Sequence, residues 1–217
     1  MTATRPPLSR NRILIEALAL LDESGVEQLS MRRLGQRLGV DPMAIYHHIP
    51  SKTALLDSLV EEIWLGVQLP EVRAGESWQE VLCDVFRAFR ERLYQHPRAV
   101  VLVGTRPSVT PAMLRLVDQI LGRLDQTEIT GKDAMELIDC LSGYTVGKVL
   151  AEIGGAEQST SANVASVLAA VDATTHPYLA RTLLEYGPAA EEEFERGLVA
   201  LVTGWRLAAA TVEPPRA

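Results

Sequence analysis

Apolar residues recur along this chain at spacings of three and four, and no stretch shows convincing strict alternation. A helix turns once every 3.6 residues, so this spacing gathers them on one face and predicts an all-α protein. The first helix is expected to begin near Ser9 and to bury Leu14, Leu18 and Leu21 before Gly25 stops it. Ser30 reads as the N-cap of a second helix that buries Leu34 and Leu38 and ends at Gly39. A short third helix follows over about 42–48. Ser51 caps a fourth, through Leu55, Leu59 and Ile63 towards Val67.

LPEVRAGES, residues 69–77, then breaks the pattern with proline, glycine and charge. Ser77 and Glu80 form an S-x-x-E capping box opening a helix with Leu82, Phe86, Phe89 and Leu93 on one face. His96-Pro97 ends that helix, and GTRPSVTP is a second break. Thr110 and Pro111 supply the N-cap and first position of a helix to about Leu124, and a long helix covers about 131–153. GGAEQSTSANVASVLAAVDATTHP is small and polar, and is expected to be a mobile connection holding one modest helix. The last helix, about 188–210, carries Phe194, Leu198, Leu201 and Trp205. The breaks divide the chain into a disordered arm (1–8), a three-helix helix-turn-helix unit (9–52), a connecting helix (53–68), a helical body (69–210) and a disordered tail (211–217).

Composition narrows the function classes. No run of eighteen apolar residues occurs, and MTATRPPLSRNR lacks the apolar stretch of a secretory leader, so a cytoplasmic protein is expected. Cys83 and Cys140 lack CxxC spacing and read as buried thiols. The net charge of −7 argues against a nucleic-acid partner until its distribution is considered. Residues 1–52 hold seven Lys/Arg against five Asp/Glu, whereas the remaining 165 hold fourteen against twenty-three. A mildly basic head on an acidic body is the asymmetry of a grafted DNA-reading unit. The chain has no G-x-S-x-G, no glycine-rich phosphate loop and no HExxH, which argues against an enzyme. No cofactor or resident metal is expected.

The most unusual stretch is YHHIPSK, residues 46–52. Adjacent helical residues point about 100° apart, so His47 and His48 do not converge on one metal ion. The groove reading fits better. A helix over 30–38, a turn at Gly39–Asp41 and a helix over 42–48 make a helix-turn-helix, with Leu34, Leu38, Val40 and Ile45 facing inward. Met43, Ala44, Tyr46, His47 and His48 are left on or near the exposed face, which suits a major groove about 12 Å wide. Tyr46, Lys52 and the helix N-terminus around Ser30, Met31 and Arg32 can donate to phosphates. From spacing alone, two packed helices with a solvated polar face remain the alternative.

LSMRRLGQRLGVDPMAIYHHIPSKTALLDSL resembles the DNA-binding domain of the tetracycline-repressor (TetR) family, with its Y-x-H and following lysine, across about residues 9–60. The resemblance implies that the helix from Pro42 reads the major groove. It would set Pro42, Met43 and Ala44 at base edges, with Tyr46, His48 and Lys52 as anchors. Apolar residues at base-reading positions imply contacts to thymine methyl groups.

GESWQEVL, LVGTRP, LSGYTVGKVL and FERGLVAL carry the likeness into the body, which is similar to the tetracycline-binding members. In those members two long C-terminal helices pair with their symmetry mates in a four-helix bundle. Gly143 and Gly147 lie four apart and Gly197 and Gly204 seven apart in predicted helices. An interior glycine costs roughly 0.5–1 kcal/mol relative to alanine, which close approach of another helix offsets. Gly143, Gly147, Gly197, Leu201, Gly204 and Trp205 are therefore expected at a homodimer interface, with packing inside one monomer as the alternative.

In the tetracycline-binding members a histidine before the G-T-R-P turn and a glutamate after the G-x-V-L run help to hold a magnesium–tetracycline chelate. Here Leu102 and Ala151 stand at those places. Val85 replaces a drug-binding asparagine, and Phe89 matches a lining phenylalanine. No evident hard-cation site remains. The implied ligand is a small, largely apolar molecule other than magnesium–tetracycline. Its expected cavity is lined by Trp64, Val67, Val85, Phe89, Leu102, Thr105, Arg106, Met135, Ile138, Asp139 and Ser142. Asp139 either receives a cationic or hydroxyl-bearing ligand or pairs with Arg106. By resemblance the protein is a homodimeric regulator, a repressor by expectation, that binds a palindromic double-stranded operator and is released when ligand changes the separation of its heads. Activation, a protein partner in place of a small molecule, and a helical dimer without DNA binding stay open.

Overall fold

A computed structural model describes residues 7–106, 109–125, 127–129, 131–157, 171–183 and 190–209, and among them every regular element is a helix. In the head, α1 spans Arg10–Ser24, α2 Met31–Leu38, α3 Pro42–Tyr46 and α4 Lys52–Leu65. Each starts on a side-chain cap. The oxygens of Ser9, Ser30, Asp41 and Ser51 accept from backbone N–H groups two or three residues on, which satisfies donors the helix itself cannot. Gly39 ends α2 in the left-handed region at φ 64°, its N–H turned back on the Gly35 and Gln36 carbonyls. Gly35 sits where α2 crosses α3, and a Cβ there would stand 3.0 Å from the Val40 carbonyl oxygen. Ile13, Leu14, Leu21, Leu34, Leu38, Ile45, Leu55 and Leu59 are fully buried together. Leu18 is only partly buried, because the stripe of α1 that faces the core runs through Ile13, Ala17, Leu20 and Leu21. Helix α3 closes at Tyr46 with His47 as its C-cap, shorter than the spacing predicts.

In the body, α5 spans Trp78–Gln95, α6 Val100–Thr105, α7 Pro111–Leu124, α8 Gly131–Glu157, α9 Pro177–Leu183 and α10 Ala190–Ala209. The Ser77–Glu80 capping box forms in full. Helix α6 is absent from the sequence reading, since VVLVGT is a short apolar run without period and follows a proline-led 3-10 turn. Helix α8 runs on past 153. The helix expected within the polar connection lies outside the described residues, as do the tail and most of the arm.

One polar knot around the buried Arg90 ties the long helices together. The Arg90 guanidinium of α5 reaches Glu191 of α10 at 2.5 Å and Glu152 of α8 at 3.2 Å, and lies over the rings of Tyr94 and Phe194. Tyr94 donates to Glu152. Burial and that hydrogen bond push its hydroxyl up to about 12.

Candidate functional site: nucleic-acid interface and ligand cavity

The caps just described decide what the head shows to its surroundings. Asp41 accepts from the Met43 N–H at 2.8 Å and Pro42 occupies the first turn, so α3 starts rigidly where the turn delivers it. Ile45 points into the core, and its helical neighbours turn outward. Met43 is 63% exposed, Tyr46, His47 and His48 are exposed, and Pro42 and Ala44 are half-buried. Lys52 is exposed on the first turn of α4, directly after its cap. Arg32 is exposed and Ser30 caps α2, but Met31 is only 6% exposed. Its side chain belongs to the core, and only its backbone lies at the helix end. Apart from the Met31 side chain, the expected DNA-facing residues are thus exposed or half-buried. Arg37 lies elsewhere, spent on α1 through Glu16 at 2.8 Å and Glu23 at 2.5 Å.

Below the head, α4, α5, α6, α7 and α8 line a cavity of about 540 Å³, within the range usual for small-molecule sites and partly open to solvent. Trp64, Val67, Val85, Phe89, Met135, Ile138, Asp139 and Ser142 all line it, as the sequence predicts. Trp64 stacks on Phe89 with ring centroids 4.7 Å apart, and Phe86 meets Phe89 edge-on. Leu102, Thr105 and Arg106 do not line it. Helix α6 turns Val103 and Gly104 to the cavity instead. It buries Leu102 in the core, and the Thr105 hydroxyl donates to the Val101 carbonyl. Arg106 pairs with Asp57 of α4 at 2.7 Å, which answers the alternative of a pair with Asp139. Asp139 is exposed at the rim. The wall that sequence reasoning missed is α7, which contributes Met113, Leu116, Val117 and Ile120. Their three-and-four spacing marked a buried face without saying that the face borders a void.

The donor set does not suit a chelated magnesium. Position 102 holds a buried leucine and 151 an alanine. Among the described residues no three His, Cys, Asp or Glu side chains gather closely enough to hold a metal ion.

The four glycines expected between protomers separate into two kinds. A Cβ on Gly197 would collide with the Tyr144 hydroxyl of the same chain, so the space of this glycine is filled from within. Tyr144 stacks on Phe194 and donates to the Phe194 carbonyl at 3.1 Å there. Nothing lies within 4 Å of a Cβ on Gly143, Gly147 or Gly204, and Gly143 and Gly147 also line the cavity. Leu201 and Trp205 pack partly buried against their own core.

Residues 13–59 match the family described as bacterial regulatory proteins, tetR family, and residues 69–208 match the tetracyclin repressor-like C-terminal domain. This chain belongs to the tetR family. It is 32% identical over 204 residues to an HTH-type transcriptional regulator of Saccharopolyspora erythraea, covering 93% of this chain and 86% of that one. It is 34% identical over 222 residues to the class A tetracycline repressor of transposon 1721 from Escherichia coli, covering 96% and 97%. Among solved structures, ActR of Streptomyces coelicolor in complex with actinorhodin matches with a TM-score of 0.79 at 26% identity, covering 95% of this chain and all of that one. The family is one of transcriptional regulators rather than enzymes. No helix among the described residues is long and apolar enough to cross a membrane.

In this tetR-family regulator one helix belongs to both regions. Helix α4 starts with Lys52 in the head and ends with Trp64 in the cavity wall. Between them, Asp57 takes Arg106 of α6, and Glu61 accepts the Ala112 N–H at the start of α7 at 2.9 Å. Two further contacts join the body to α1: His96 Nδ1 lies 2.8 Å from Asp22, and Arg98 donates to the Glu23 carbonyl at 2.5 Å.

Proposed function

We propose that this regulator is a homodimeric repressor, acting on chromosomal DNA in the cytoplasm, that grips a palindromic operator and releases it when a small, largely apolar molecule fills the cavity. The observation that carries this reading is the shared helix. A ligand against Trp64 and Val67 presses on the helix that bears Lys52, and against Val103 and Gly104 it presses on the helix whose end clamps Asp57. Ligand binding in the cavity therefore bears on where the head sits. Release requires the ligand to prefer the conformation that does not fit DNA, because equal affinity for both would shift nothing.

Tyr46, His48 and Lys52 anchor phosphates in this reading, with the start of α2 around Ser30 and Arg32 beside them. Pro42, Met43, Ala44 and His47 lie nearest the bases. Gly143 and Gly147 of α8, which are exposed and also border the cavity, and Gly204 of α10 take the close approach of the second protomer. The complex of ActR with actinorhodin supports a small-molecule effector. The apolar residues at 85, 102 and 151 argue that magnesium–tetracycline is not the effector here.

The test is fluorescence anisotropy on the DNA flanking the protein's own gene, across a salt series. Tight binding to one palindrome is expected. Lys52→Ala should lower the slope of log K against log salt by about 1 through the loss of one phosphate contact. An unchanged slope would remove Lys52 from the interface, and release by magnesium–tetracycline would refute the argument from Leu102 and Ala151.

A further inference from the structure

Helix α4 is finished by an arginine from another helix. Arg92 of α5 donates to the Glu62 and Ile63 carbonyls in the last turn of α4 at 3.1 and 3.3 Å, and to Gln95 of its own helix at 2.9 Å. A cation suits that end, where the last carbonyls form the negative pole of the helix. Gly66 makes room for it. The glycine has φ −82° and ψ −7°, a right-handed conformation open to L side chains, so the backbone does not call for glycine there. Space does, because a Cβ on Gly66 would collide with the Arg92 guanidinium. The colliding atoms end a flexible side chain, so a methyl group at 66 would displace the guanidinium rather than the backbone. This latch stands between cavity and head. Gly66 lies between Trp64 and Val67 of the cavity wall, and Phe89, one turn before Arg92, stacks on Trp64. Farther along the same segment, His96 and Arg98 reach Asp22 and the Glu23 carbonyl in the last turn of α1. The end of α5 and the turn after it therefore hold the C-terminal ends of both long helices of the head, α1 and α4.

We infer that Arg92, seated in the space that Gly66 leaves, is a positioning residue for operator binding that fixes the angle at which α4 carries the head. This rests on the two-headed operator reading proposed above and names a residue pair that this reading leaves without a role. Two heads must reach half-sites one helical turn apart together, so the DNA dictates their separation. With the latch open, α4 samples a wider range of angles, and apparent affinity falls by the fraction of dimers still in register. A single half-site makes no such demand, because one head docks on it whatever the angle of the other.

The test uses the full chain and the duplex that the unmodified protein selects from a random-sequence pool. Anisotropy is read on the full palindrome and on a duplex carrying one half-site. Arg92→Ala should weaken binding to the palindrome about tenfold, as when about a tenth of the dimers stay in register, and should leave half-site binding unchanged. Gly66→Ala should do the same from the other helix. The double variant should lose no more than either alone, because both substitutions open one contact. Sedimentation should show the unmodified assembly throughout. Half-site binding that fell as far as palindrome binding, or a shift to monomer, would make Arg92 a residue of the fold or the assembly and overturn the inference. Palindrome binding unchanged in both variants, or additive losses in the double variant, would overturn it as well. Selection of no palindrome by the unmodified protein would instead overturn the two-headed reading, and the inference with it.

Discussion

The head and the body hold their chemistry in opposite ways. In the head, the residues proposed to face DNA stand on the outside, within one stretch from Pro42 to Lys52 and at the start of α2, over a core supplied by adjacent helices. In the body, the comparable feature is a cavity whose walls come from α4 through α8, and so from residues as far apart as Trp64 and Leu150. A surface site needs only local rules, since a cap, a turn and one inward residue decide which side chains are left exposed. A cavity needs several helices to be positioned together, and its defining property is where side chains stop short of one another. The two meet in α4, which is why a change in either region is expected to register in the other.

Leu34→Ala is the strongest way to strain that link. Leu34 is fully buried in the head, and its truncation should cost about 3 kcal/mol. Because Arg106, Glu61, His96 and Arg98 fasten head to body, the loss should lower one thermal transition of the whole chain at fixed protein concentration. Two separate calorimetric transitions, with only the first displaced, would show that the regions fold independently and that α4 does not couple them.

The glycines divide the body's own packing from its assembly. Gly197→Leu drives a side chain into Tyr144 and should cost about 1–3 kcal/mol in stability by overpacking. A Cβ on Gly143 meets nothing within 4 Å in its own chain, although the residue also borders the cavity, and Gly143→Leu should shift sedimentation from dimer to monomer if a second protomer lies close there. A Gly143→Leu variant that sediments as the unmodified protein does would remove that glycine from the interface.

The same contrast governs what the sequence made legible. Ser9, Ser30, Ser51, Ser77 with Glu80, and Thr110 with Pro111 all act as the caps their types and positions suggest, because capping is decided within four residues. The fold class and the exposed face of α3 follow from the same short-range rules. The departures occur where orientation depends on distant elements. Leu102, Thr105 and Arg106 were placed by their neighbours in a turn motif. The turn is preceded by α6, which rotates Val103 and Gly104 to the cavity instead. Met31 sits at a helix start, where exposure is usual, yet its side chain is buried among the core residues of the head. Gly197 reads like Gly143 in the sequence, and only Tyr144, about fifty residues away, tells them apart.

The smallest effect expected is a matter of pH. Arg87 of α5 donates to both carboxylate oxygens of Glu195 on α10, and this holds the Glu195 carboxyl below the ordinary glutamate range against the opposing pull of burial. A carboxyl with a depressed folded pKa stabilises the protein above its unfolded value of about 4.3 and loses that contribution as pH falls through the folded value. Both partners are roughly a third exposed, so solvent screening keeps the contribution below about 1 kcal/mol. Glu195→Gln should therefore be slightly less stable than the unmodified protein at neutral pH in urea titrations, and the two should converge as the pH drops well below 4. The head offers the matching case. Arg37 likewise lowers the Glu23 carboxyl, but on an exposed surface, so Glu23→Gln should change the acid limb less than Glu195→Gln does. A stability difference for Glu195→Gln that stayed constant from neutral pH into acid would mean that the side chain acts through packing rather than charge. The α5–α10 contact would then owe nothing to this ion pair.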